Sequence, residues 1–92
     1  MRPAHTARDR ALKELYAALR RAGAPEAVLD LYNDPAVYTR DTRTRVRGQY
    51  FLTSRTAHGG AILETGSVPV HNTEAAVRLV LEMASAAGPR SA

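Results

Sequence analysis

From the N-terminus, hydrophobic positions recur at three- and four-residue spacing: Ala11, Leu12, Leu15, Tyr16, Leu19 and Ala22. That period predicts an amphipathic helix over 7–22 with one face for a core. Thr6 stands at the N-cap and Asp9 in the first turn, Arg20 and Arg21 complement the C-terminal end of the helix dipole, and Gly23 supplies a stop. Pro25 suits the first position of a short second helix reaching Tyr32, with Val28, Leu29 and Tyr32 as its apolar face and Asn33-Asp34-Pro35 as the turn that ends it.

After that turn the helical period vanishes. β-Branched and aromatic residues dominate 36–71, punctuated by Gly and Pro, which predicts strands. The clearest covers 44–56, a turn follows at Ala57-His58-Gly59-Gly60, and a partner strand covers 61–65. Gly66-Ser67 interrupts that strand, and Val68-Pro69-Val70 continues as an edge segment or across a bulge, because proline cannot donate to a central ladder. Val37-Tyr38-Thr39 adds a short third strand.

The last segment returns to helix over 74–87, capped by Asn72 or Thr73 and followed by Gly88-Pro89. Only Arg78, Glu82 and Ser85 interrupt its apolar circumference, so this helix requires burial on most sides. One sheet face offers little cover for it, and a homodimer contact through Val77, Leu81 and Met83 is the expected remedy. The expected architecture is α+β: a small antiparallel sheet of two to three strands against N-terminal and C-terminal helices, in the order α, short α, β, β, β, α. Residues 6–88 form one domain between disordered tails at 1–5 and 89–92. This order is similar to that of double-stranded-RNA-binding domains, and the strand, strand, helix ending to that of the arm-binding domains of phage-type integrases. The residues follow neither pattern, since Asn72-Thr73-Glu74 stands where a basic cluster would open the final helix.

Charge sharpens the picture. The chain has 92 residues and a formal net charge of +4, and every one of its 13 basic residues except Lys13 is Arg. Arginine's planar fork suits phosphate and carboxylate partners, although an Arg-rich, Lys-poor chain is also what a GC-rich coding genome produces. With no Cys there is neither a disulfide framework nor a thiolate metal site to reinforce a thin core. No apolar run approaches the ~20 residues needed to span a bilayer, and the N-terminus is charged rather than signal-like, so the expected setting is cytoplasmic, away from the membrane.

The segment from Arg40 to Arg55 is the main candidate for chemistry. Read as one continuous strand, it sends Arg43, Arg45, Arg47, Gln49, Phe51, Thr53 and Arg55 to one side and Val46, Tyr50 and Leu52 to the other. The second set suits a core, and the first is a cationic row with one aromatic, able to pair with phosphates while the ring stacks on a base. Arg20, Arg21 and Arg40 extend that patch. A solvated strand face with cross-strand partners such as Glu64 is the bland alternative.

No enzyme is expected. His5, His58 and His71 lack ligand spacing, Gly59-Gly60 lacks the Lys and Ser/Thr of a phosphate loop, and neither Ser54 nor Ser67 sits in a nucleophile elbow. No cofactor or metal is implied. The expected function is that of a small non-enzymatic regulatory or accessory protein binding nucleic acid, DNA or RNA, through Arg40, Arg43, Arg45, Arg47, Gln49, Phe51 and Arg55. The alternative is a homodimeric protein-interaction module or small subunit with no nucleic-acid role, in contact through the final helix or the edge strand near Val68 to Val70.

Overall fold

The computed structural model describes residues 3–24, 26–32, 34–57 and 59–87. The helical period of the first segment is realised as α1, Pro3–Arg21, with Leu12, Leu15 and Leu19 buried. Its start lies at Pro3 rather than 7, so Thr6 is inside the helix and not at the N-cap position, and Pro3, Ala4 and His5 belong to the helix rather than to a tail. Gly23 ends α1 as expected. At φ 100 it occupies the left-handed region, and the Gly23 amide donates to the Arg20 carbonyl while the Ala24 amide donates to that of Leu19. This is the Schellman arrangement, and Ala24 buried near Leu19 supplies its apolar contact.

The chain then enters a strand, not the short helix expected over 25–32. β1, Val28–Asp30, pairs antiparallel with β2, Ala36–Thr39, with Leu29 opposite Val37. The apolar spacing of Val28, Leu29 and Tyr32 fits a helix, but so short a segment is decided by its neighbours, and here cross-strand partners are at hand. β3, Thr42–Arg47, β4, Tyr50–Thr56, and β5, Ile62–Pro69, complete an antiparallel meander of five strands in the order β1-β2-β3-β4-β5. The sheet therefore has more strands than the two to three expected, and the element order is α, β, β, β, β, β, α.

Two further differences have local causes. The single strand expected over 44–56 is broken by a two-residue turn, Gly48-Gln49, between β3 and β4, with Gly48 at φ 63. Gly at the first central position is the residue such a hairpin turn favours. Conversely, Gly66-Ser67 does not interrupt β5. A side chain at Gly66 would bring its Cβ to 3.0 Å from a Leu79 methyl, so the strand is continuous and the glycine admits the helix above it. A bulge does occur in β5, beside Arg55 and Thr56 of β4, and Pro69 lies on an edge strand as its chemistry requires.

The last helix, α2, spans Thr73–Ala87. The Asn72 side chain accepts a hydrogen bond from the Ala75 amide at 3.2 Å, so Asn72 is the N-cap. Both helices lie on one side of the sheet, where Leu12, Leu15 and Leu19 of α1 and Ala76 and Val80 of α2 enclose Val37 and Phe51. Burying Phe51 completely contributes roughly 1.5–3 kcal/mol. α2 thus finds cover against α1 and the sheet of its own chain. Met83 is 4% exposed and reaches toward Gly66, and Val77 and Leu81 pack on the core cluster. Met83 is therefore not free to meet a second molecule, in contrast to its expected place in a dimer contact. Pro25, Asn33 and His58, expected at a helix start and in turns, and 88–92, expected as a stop and tail, lie outside the described residues.

Candidate functional site

The hairpin turn at Gly48-Gln49 decides which residues share a face. Arg47 lies opposite Tyr50, Arg45 opposite Leu52 and Arg43 opposite Ser54, while Val46 lies opposite Phe51 and Thr44 opposite Thr53. Directly opposed residues of an antiparallel pair lie on the same side of the sheet. The odd-numbered residues of β3 consequently join the even-numbered residues of β4, and the parity of a continuous strand is reset at the turn.

Three rows follow on the side away from the helices. The first runs Val28, Tyr38, Arg43, Ser54 and Thr65 across all strands; the second runs Arg45, Leu52 and Ser67; the third runs Arg47, Tyr50 and Pro69. No helix covers this side among the described residues. Arg43, Arg45, Tyr38 and Leu52 are half-buried by one another, whereas Arg47 and Tyr50 are exposed, Tyr50 by 51%. The result is a face on which three guanidinium groups run along β3, with Tyr38 opposite the first and Tyr50 opposite the last.

Two carboxylates belong to this side: Asp30, two residues along β1 from Val28, and Asp34. Asp34, in the connection from β1 to β2, places Oδ2 3.6 Å from Nη1 of both Arg43 and Arg45. The pairs are solvent-accessible, and such ion pairs contribute ~0–1 kcal/mol to stability. At that distance the carboxylate offsets part of the charge of both arginines without a hydrogen bond to either. Arg47 has no ion-pair partner among the described residues. Tyr32, in the same connection as Asp34, is 92% exposed, and its amide donates to the Asp30 carboxylate at 2.9 Å.

Of the residues expected to form the patch, Arg43, Arg45 and Arg47 are brought together and the others are not. Phe51 is fully buried on the helix-facing side, where it fills the core instead of stacking. Arg55 also lies on that side and donates to Glu64 at 2.9 Å, the cross-strand partner anticipated for a structural role. Gln49 sits in the hairpin turn. Arg40 occupies the β2–β3 turn at φ 55 and pairs with Glu26 at 3.4 Å. Arg20 and Arg21 end α1 in the helical layer, and Arg20 folds over the Tyr16 ring, 5.7 Å from its centroid. The aromatic groups of the face are instead Tyr38 and Tyr50, in contrast to the core position expected of Tyr50. The signal for this exchange is Gly48-Gln49 itself, a Gly-X pair between two β-rich runs.

Among the described residues no three His, Asp or Glu side chains are grouped to hold a metal, and no helix is long and apolar enough to cross a membrane. No family model matches the chain, and neither a curated protein nor a solved structure matches it.

Proposed function

We propose that this chain is a small, cytoplasmic, non-enzymatic accessory or regulatory factor that binds single-stranded nucleic acid on the uncovered face of its sheet. The observation that supports it is the row of Arg43, Arg45 and Arg47 along β3, with Tyr38 opposite Arg43 and Tyr50 opposite Arg47 on one side of β2, β3 and β4. Successive arginines two residues apart along β3 are spaced by ~6.8 Å, which lets each meet a different phosphate of an extended strand. Tyr38, half-buried, and Tyr50, 51% exposed, flank that row, and such rings can stack on unpaired bases. Stacking on exposed rings needs unpaired bases, which favours a single strand. A duplex groove is read by an inserted helix or ribbon, and among the described residues no helix lies on this side.

The electrostatic part of such binding is quantifiable. Three phosphate contacts give a salt slope of about −2 for a single strand. Each stacked base adds about 1–3 kcal/mol. Fluorescence anisotropy with single-stranded and duplex oligonucleotides, at low and physiological salt, tests the proposal. The triple variant Arg43→Ala, Arg45→Ala, Arg47→Ala should bind all sequences more weakly, with a salt slope shallower by about 2, while keeping its thermal transition. Equal affinity in the variant would remove the face from consideration.

A further inference from the structure

The antiparallel meander leaves two edges, and they are unequal. β1 offers three residues, whereas β5 offers eight, Ile62–Pro69, and among the described residues pairs only with β4. An edge of this length presents backbone donors and acceptors to any extended chain, and proteins commonly guard such edges with lysine, proline, bulges or a covering element. β5 carries no Lys or Arg, and its one charge, Glu64, is held by Arg55 within the same sheet. Its irregularities lie near its ends: the bulge falls at Leu63 and the proline at 69, leaving 64–68 as regular strand. Ile62 and Leu63 are exposed by 61% and 52%.

We infer that β5 is the docking edge for the β5 of a second copy of this chain, joining the two sheets antiparallel about a two-fold axis near Gly66. Self-pairing of an antiparallel edge sets residues of equal parity opposite one another, and the axis at Gly66 satisfies it with these side chains. Thr65 then faces Ser67 of the second copy and Glu64 faces Val68, so no like charges oppose. The helical layer agrees. α2 packs over β4 and β5 while α1 packs over β1, β2 and β3, so no helix stands between α2 and the β5 edge. Leu79, half-buried above Gly66, would meet its counterpart across the axis.

The dimer does not depend on what the open face binds, but it would extend that face. Both outer faces come to lie on one side of a continuous sheet, with the two arginine rows five strand spacings apart, about 24 Å.

Sedimentation velocity of the full chain at rising concentration tests this, read against a monomer of 10.0 kDa. The expected result is a species of twice that mass. Two variants with the same exposed positions changed separate edge pairing from other contacts. Thr65→Lys with Ser67→Lys sets like charges across the axis and should give the monomer with an unchanged circular dichroism spectrum. Thr65→Lys with Ser67→Glu sets opposite charges there and should keep the dimer, which also guards against a folding defect from the substitution at Thr65 alone. A wild-type monomer at every concentration, or a dimer in both variants, would overturn the inference. The triple arginine variant should dimerise like wild type, so failure of nucleic-acid binding and failure of dimerisation are read separately.

Discussion

The two faces of this sheet are built from the same strands and hold opposite things. Toward the helices lie Leu29, Val37, Val46, Phe51, Gly66 and Val68, together with Thr39, Thr42, Thr44 and Thr53. Toward solvent lie Tyr38, Arg43, Arg45, Arg47, Tyr50 and Leu52. On the covered face the polar groups are the pair of Arg55 with Glu64 at its end and four buried threonines, mostly satisfied within the sheet: the Thr44 and Thr53 hydroxyls share a hydrogen bond of 2.8 Å, and Thr42 donates to the Thr39 carbonyl at 2.7 Å. On the open face short hydroxyls, Ser54, Thr65 and Ser67, stand beside three arginines, of which Arg43 and Arg45 pair with Asp34 and Arg47 has no ion-pair partner among the described residues. Adjacent positions along β3 and β4 thus divide between the packed core and the open face, and the neighbours Tyr50 and Phe51 divide the two most sharply.

That division can be broken at Tyr50 and Phe51. Phe51→Ala should cost about 3–5 kcal/mol in denaturant unfolding, because it empties a fully buried site between both helices. Tyr50→Ala should change stability by under ~1 kcal/mol while weakening oligonucleotide binding by about 1–3 kcal/mol. A smaller effect of opposite sign is expected at Thr39, whose buried hydroxyl has no hydrogen-bond partner among the described residues. Thr39→Val removes that desolvated group and should stabilise the fold by about 1 kcal/mol without affecting binding. The smallest effect concerns Asp34, which competes for Arg43 and Arg45. Asp34→Asn should tighten binding at low salt by about 0.5–1 kcal/mol and leave the unfolding midpoint nearly unchanged.

Much of this arrangement is legible in the sequence where the signal is local. The period of α1, its glycine stop, the Asn72 cap of α2 and the β-rich middle all appear as expected, because each depends on residues within a turn or two of one another. The alternation of Arg43, Arg45 and Arg47 is legible for the same reason. What escapes is set by partners distant along the chain. Val28 to Asp30 becomes a strand because β2 pairs with it, and Gly66 stays within a strand because Leu79 packs above it. A turn at Gly48-Gln49 lies inside a run whose propensity is β throughout, and overlooking it reverses the faces of every later residue in the hairpin. Hence Phe51 changes from stacking group to core, and Tyr50 from core to open face. The burial of α2 is likewise supplied by α1, which only the folded arrangement brings alongside it.

The most direct test of the account is a map of amide chemical-shift changes as a short single-stranded oligonucleotide is titrated into the labelled protein. Binding on the open face should perturb Tyr38, Arg43, Arg45, Arg47 and Tyr50 in saturable fashion, with the amides of α1 and α2 little changed. Perturbations centred on Arg20, Arg21 and the helical layer, or none at all at low salt, would contradict it.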